Sequence, residues 1–361
     1  MTITEKSEID VNAINEKLPF LLRRENVARY EDGQVVMLDR SRYPFERHFV
    51  RCRTVEEAAQ AIEKMIIQGG AQWIVAAYAM VIQAREAARL DADAARASLM
   101  RAQSRLVATR PTNTAISRNL GRLMQVAEDA LARGENLEAA LLAWIEAARD
   151  RSFVRWTRMG QYGAELIADG DGVLTMCFAE NSFILTLIFA REAGKSMRVF
   201  VPETRPYLQG ARLTAPSLHE LGFAVQLITD NMPAYVLSQG KVQKYFTAAD
   251  LVTLDGHVVN KIGTFQNALA AHYHGVPYFA LCSVVDASRP DRASIVIEER
   301  DPAEVRAARG TPTTLEDIPA YYPAFDITPP HLVSGIVTEY GVLNPYDLRR
   351  FYRPDAGRKG R

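Results

Sequence analysis

Apolar and polar positions alternate with two different periods along this chain. In the segment "TVEEAAQAIEKMII" that starts at Thr54, Val55, Ala58, Ile62, Met65 and Ile66 recur at helical spacing. Thr54 and Glu57 stand three apart at its start, the spacing of a capping box. The run "IVAAYAMVIQAREAA" that follows is apolar on almost every face at first, which predicts a buried helix. Ile116, Leu120, Leu123, Met124, Ala127 and Leu131 outline another amphipathic helix, and Gly134 stops it. A long helical stretch is expected over 137–168. After Gly170 the period changes. "GVLTMCF", "MRVFVPE", "FAVQLITD", "LVTL" and "PYFALCS" are short apolar runs of strand length. Helical stretches at roughly 181–193, 209–221, 232–240 and 264–274 separate them. Strand and helix in alternation predict a parallel sheet covered on both faces. The expected fold is therefore α/β: a mainly helical N-terminal domain over 1–150, then a Rossmann-like domain over 151–361. Pro111 and Thr112 read as the start of a helix, and the tail "RPDAGRKGR" as a basic, loose end.

Charge changes this picture little. The 361 residues hold 43 basic and 43 acidic side chains, which argues against a nucleic-acid partner recruited by net charge. No apolar run approaches the roughly 20 residues that span a bilayer, and the start "MTITEKSEID" lacks a signal-peptide core. A soluble cytoplasmic protein with no membrane partner is expected. Three cysteines, Cys52, Cys177 and Cys282, are too few and too scattered for a disulfide framework or a zinc site. His272 and His274 are read as surface residues rather than metal ligands. No metal is expected.

In an open parallel sheet, ligands bind beyond the carboxyl ends of the strands. Polar residues gather at those positions here: Cys177, then Glu203, Thr204 and Arg205, then Asp230 and Asn231, then Asp250, Asn260 and Lys261. Taken singly, each has an ordinary explanation. A cysteine in an apolar strand serves as a small core residue, and an aspartate at a strand end serves as a turn cap.

The strings "PETRPYLQGARLTA" (202–215), "NKIGT" (260–264) and "PAFDITP" (323–329) change that reading. With "DGQVVMLDR", "ATRPTN", "LITDNM", "IEER" and "TEYG", they make the chain resemble the methylthioribose-1-phosphate isomerases from about Tyr30 to Gly341. These belong to a larger group with ribose-1,5-bisphosphate isomerases and the regulatory subunits of translation initiation factor 2B. The resemblance implies an aldose–ketose isomerase that opens a furanose 1-phosphate to a 1-phospho-ketose, a homodimer, and no metal or redox cofactor. It puts the catalytic pair at Cys177 and Asp250. It puts substrate-binding residues at Gln68, Gly69, Gly70, Arg110, Gln209, Asn260 and Lys261. Physical chemistry supports the pair. Isomerisation moves a hydrogen between C2 and C1 and protons on oxygen, work for two titratable groups facing each other. Burial raises a carboxyl pKa, so Asp250 is expected to hold a proton and donate it to the ring oxygen. A proton route and a hydride shift both fit at this point.

The chain departs from the family pattern in three places. The loop "IQGGAQWI" has Gln68 where arginine is usual, Ala71 where proline is usual, and Trp73 in place of a small side chain. "MCFAEN" has Met176, Phe178 and Glu180 in place of histidine, asparagine and glycine, and Tyr322 replaces an asparagine. These changes fit an isomerase for a related deoxy- or thio-pentose. A non-catalytic regulatory protein is the rival of another class, but it has no chemical reason to retain both Cys177 and Asp250.

Overall fold

The computed structural model describes residues 9–110, 114–283 and 285–351. The helix start read at Pro111 and Thr112, most of the N-terminal decapeptide and the basic tail lie outside them. The chain forms two compact units: Val11–Glu16 with Phe20–Phe153, and Lys17–Pro19 with the chain from Val154 on. The dividing line falls inside one long helix.

In the first unit, β1 (Ala28–Glu31), β2 (Gln34–Leu38) and β3 (Phe49–Cys52) form an antiparallel sheet after two short helices, Val11–Lys17 and Arg24–Val27. The longer helices that follow are α1 (Val55–Glu63), α2 (Gln72–Ala87), α3 (Ala92–Ala108), α4 (Thr114–Arg133) and α5 (Leu137–Glu165), the last running on past the unit. Half of the expected capping box forms: Thr54 Oγ1 accepts from Glu57 N at 3.1 Å, while Glu57 Oε2 accepts from Arg53 N, one residue before the cap, at 2.5 Å. Helix α2 packs against α1, α3, α4 and β2, so an apolar surface on all sides suits it. Trp73 is buried in this core.

The second unit is built on a seven-stranded sheet. Its strands are β4 (Asp171–Leu174), β5 (Met197–Pro202), β6 (Ala224–Ile228), β7 (Lys244–Ala248), β10 (Tyr278–Leu281), β12 (Gly335–Thr338) and β13 (Gly341–Leu343). Beside it lies a small antiparallel sheet of β8 (Leu251–Val252), β9 (Val258–Lys261) and β11 (Phe325–Thr328). The large sheet runs β6-β5-β4-β7-β10-β12-β13 and is parallel throughout except for β12 with β13. From β4 the next two strands step one way. From β7 the later strands step the other way. The strand order therefore turns back between β4 and β7, the switch point of a doubly wound fold. The connections are α6 (Glu180–Glu192), a π turn (Gly210–Thr214) leading into α7 (Ala215–Glu220), α8 (Pro233–Ser238) and α9 (Thr264–Tyr273).

One strand assignment from the sequence is corrected. "LVTL" does not enter the large sheet; its first two residues form β8 of the small one. The fourth parallel strand is Lys244–Ala248, whose Tyr245, Phe246 and Thr247 are fully buried. A lysine at its start and two alanines at its end hide it among polar neighbours.

The glycine of "LQGAR" has a steric cause. A Cβ on Gly210 would stand 1.8 Å from Pro202 O, the last carbonyl of β5. Gly210→Ala is expected to cost about 1–3 kcal/mol of stability, as overpacking does. Urea denaturation of the full chain measures it, and an unchanged midpoint would contradict this packing.

Candidate active site

The chain leaving β4 bends at once. Cys177 adopts a left-handed conformation with φ 63°, and its peptide is held on both sides by threonines of the "ETRPYLQGARLT" run. Cys177 N donates to Thr204 Oγ1 at 3.1 Å, and Thr214 Oγ1 donates to Cys177 O at 2.5 Å. Thr204 is fixed in turn. Its N donates to Asp230 Oδ1, and Arg205 N donates to Asp230 Oδ2, both at 2.7 Å. A relay therefore runs from the end of β6, through the loop after β5, to the cysteine after β4. Thr204, Leu208 and Glu180 share the left-handed backbone with Cys177, at φ 64°, 65° and 51°. Each such residue costs on the order of 1–3 kcal/mol, and such residues cluster at functional sites.

Asp250 lies just past β7, the strand next to β4, and its N donates to Val259 O at 3.0 Å. The two candidates thus stand at the carboxyl ends of the strands flanking the switch point. The Asp250 side chain is open to water, yet protein walls it on most sides. Burial pushes the Asp250 carboxyl up to about 6, against the pull of Lys261 and Arg300 and helped by Glu180 and Glu298. Burial likewise pushes the Cys177 thiol up to about 11, with Lys261 opposing and the Asp250 charge adding to the rise. Thiol and carboxyl therefore sit within electrostatic reach of each other. The expectation of a neutral Asp250 needs a correction: in the free protein its proton is held only below about pH 6.

The small sheet supplies the cations. Lys261 in β9 pairs in register with Phe325 in β11. Its Nζ lies over that ring, 5.0 Å from the centroid, and Arg300 covers the same ring at 5.5 Å. Burial lowers the Lys261 pKa, Arg300 lowers it further, and the Cys177 and Asp250 charges offset part of this. Arg300 is anchored by Glu298, Nε to Oε1 at 2.7 Å. Arg300, Glu298 and Thr214 were not singled out from sequence as site residues, although "IEER" and "ETRPYLQGARLTA" contain them.

Other expected residues take different positions. Asn260 is buried, and its Nδ2 donates to Thr264 Oγ1 at 2.9 Å, so this amide nitrogen braces the start of α9. Gln209 is buried beside the π turn, and its Oε1 has no hydrogen-bond partner among the described residues. Asp326 of "PAFD" caps the same helix start, accepting from Gly263 N at 2.7 Å and Phe265 N at 3.1 Å. Those two motifs thus make one local structure. A cleft of about 480 Å³ lies beside it, lined by Met176, Arg205, Asp230, Gly263 and Asp326 among others, but not by Cys177 or Asp250.

Gln68, Gly69, Gly70 and Arg110 form a group within the helical unit. Gly69 has φ 65°, Arg40 Nη1 donates to Gln68 O at 3.0 Å, and the Arg110 guanidinium meets Met65 Sδ. Gln68 is buried, and its Nε2 has no partner among the described residues.

The family profile described as "Initiation factor 2 subunit family" matches residues 67–345. The 5-deoxyribose 1-phosphate isomerase of Moorella thermoacetica is 40% identical over 327 residues, 88% of this chain and 93% of that one. The methylthioribose-1-phosphate isomerase of Chloroflexus aurantiacus is 36% identical over 340 residues, 91% of this chain and 98% of that one. The crystal structure of 5-methylthioribose 1-phosphate isomerase from Pyrococcus horikoshii OT3 superposes with a TM-score of 0.80 at 29% identity, covering 95% of this chain and 100% of that one. Among the described residues no helix is long and apolar enough to cross a membrane. With the strand order, the cysteine and aspartate at its switch point and this similarity along most of its length, the chain belongs to the initiation factor 2 subunit family, among its methylthioribose-1-phosphate isomerases.

Proposed function

We propose that the protein is an aldose–ketose isomerase that converts a pentose 1-phosphate to the corresponding ketose 1-phosphate, with Cys177 and Asp250 as its catalytic pair. The observation that carries this reading is their position across the switch point, with the Asp250 charge reaching the Cys177 thiol. The reaction needs a proton on the ring oxygen, a hydrogen moved from C2 to C1, and the loss of the C2 hydroxyl proton. A pair holding one proton between its members meets all three needs. One member takes the proton from C2. The other gives its own to the ring oxygen as the bond from C1 to that oxygen breaks, which leaves an enediol phosphate. The first member then returns its proton to C1, and the second takes the hydroxyl proton as the C2 carbonyl forms. Both end as they began. Lys261 and Arg300 supply positive charge for the phosphate. The substrate class is a pentose 1-phosphate altered at C5, as in the substrates that name the relatives above.

For Gln209, and for Gln68, Gly69, Gly70 and Arg110, the proposed role is contact with substrate oxygens. Left-handed Gly69 and the unpartnered buried amide atoms of Gln68 and Gln209 support it. Asn260 would act through its brace on α9. A reducing, cytoplasmic setting is proposed because the Cys177 thiol must stay free, as it is in the structure. The dimer is proposed on the edge strand β6 and its neighbours. Leu227 on the edge strand is 54% exposed, and Tyr235 of α8 with Leu269 and Tyr273 of α9, the helix packed against α8, are 66%, 47% and 84% exposed. Light scattering of the purified chain should give twice the chain mass, and Tyr235→Glu with Leu269→Glu should halve it. A monomeric parent chain would remove the dimer.

Activity is tested on 5-deoxyribose 1-phosphate, methylthioribose 1-phosphate and the free pentoses, with ketose formation followed by carbon NMR. Turnover on a 1-phosphate is expected. Cys177→Ala and Asp250→Asn should each lower kcat at least about a hundredfold, the scale of lost acid–base catalysis. Turnover that survives both substitutions would remove the pair from the chemistry.

The pH profile follows from one shared proton. Below about pH 6 Asp250 is protonated while the thiol keeps its proton, so the pair holds two and has no base. Between about 6 and about 11 it holds one. Log kcat/KM should therefore fall as pH drops through about 6, whichever member carries the single proton. A rate that rises toward pH 5 would mean that the doubly protonated pair is active, and would favour a hydride shift.

A further inference from the structure

Tyr322 stands where the family pattern has asparagine, and its surroundings differ from those of a packed core tyrosine. The residue is 3% exposed. Its hydroxyl makes no well-formed hydrogen bond among the described residues, an uncommon state for a buried phenol. The Arg300 guanidinium stands beside it as its polar neighbour, pulling the phenol's pKa down while the phenol raises that of the arginine, and the Cys177 thiol is also within reach. Backbone pairing fixes the position from both sides. Arg300 N donates to Tyr322 O at 2.9 Å, and Glu299 and Pro323 form a β-bridge. The next residues, Ala324 and Phe325, lead into the ring on which Lys261 and Arg300 rest.

Glu298 occupies the Nε edge of Arg300. The Tyr322 phenol stands beside the same guanidinium, and its O–H remains able to donate. Burial pushes the Tyr322 phenol up to about 12, so it keeps its proton over the working range. Adjacent buried donors beside a reactive thiol have one obvious complement: an anionic oxygen that brings acceptors and no protons.

We propose that Tyr322 and Arg300 together hold the substrate's phosphate, with the Tyr322 hydroxyl donating to a phosphoryl oxygen. This rests on the isomerase reading for the identity of the phosphate's carrier, but not for the binding itself. It gives a physical role to one of the chain's departures from its family, since a phenol reaches farther than an asparagine amide and is less easily desolvated out of place. Tyr322 is then a binding residue that sets affinity for the phosphorylated sugar.

The test uses inorganic phosphate as the probe, titrated calorimetrically into the full-length wild-type chain and into Tyr322→Phe, which removes only the hydroxyl. Tyr322→Phe should weaken phosphate binding about tenfold, the scale of a lost hydrogen bond to a charged group. In turnover it should raise KM more than it lowers kcat. A thermal melt close to that of the wild type verifies folding. Fluorine NMR of a fluorotyrosine placed at this position provides a second measurement that does not depend on the variant, and its resonance should move on adding phosphate. Phosphate affinity within twofold of wild type in folded Tyr322→Phe, an unmoved fluorine resonance, or a fall in kcat alone would each overturn the proposal. Failure of the isomerase reading looks different: no turnover on any pentose phosphate while phosphate binding and its dependence on Tyr322 persist.

Discussion

A parallel sheet that winds outward in both directions from one pair of strands cannot cover the carboxyl ends of that pair. The helices following β4 and β7 leave toward opposite edges, and a crevice opens between them. The chain puts Cys177 at one lip and Asp250 at the other. Everything else around the pair supports these two placements. The relay from Asp230 to Thr204 to Cys177 holds the first lip in a left-handed turn that an L-residue adopts only at a cost. Pairing of Asp250 N with Val259 O ties the second lip to the small sheet, and the same sheet delivers Lys261. Fold and chemistry thus share one geometric cause.

The electrostatics follow from that crevice. Partly desolvated charges are costly unless compensated. Lys261 and Arg300 rest on one aromatic ring, whose quadrupole offsets part of the cost of their charge, and Glu298 clamps the guanidinium. The thiol and the carboxyl are both pushed up, yet to values far apart, which lets one be protonated while the other is not across the neutral range. Two groups separated in this way form an acid–base couple without any change of residue type.

Much of this was legible in the residues, and the exceptions have identifiable causes. Helix periodicity located α1, α2 and α4 because each buries a defined face or all faces. The antiparallel strands β1–β3 went unread, since four- and five-residue segments such as "ARYE" and "QVVML" leave too little room for a period to show. Strand β7 was misplaced by a few residues because "KYFTAAD" is short and bounded by charge. Cys177, Asp250 and Lys261 were singled out by motif and strand-end reasoning. Arg300 and Tyr322 come from the irregular stretch between β10 and β11, where no periodicity exists and only tertiary packing brings a residue to the site. Asn260 was assigned outward by its position on a strand beside a helix start, but the strand pairing turns its amide to Thr264.

Glu180 shows how the departures act on the same chemistry. Its φ of 51° is a conformation glycine adopts freely, so glutamate holds the turn at an energetic cost that glycine would avoid. What the side chain adds is charge, and that charge raises the Asp250 pKa. Asp250, Glu180 and Glu298 then oppose the two cations Lys261 and Arg300, so the ionised site is acidic by one charge and becomes balanced when Asp250 takes up a proton. By linkage an anion entering such a site would favour the protonated form, which is the form that the acid–base couple cannot use. The glutamate, by raising the proton affinity of Asp250, moves the loss of that couple to higher pH.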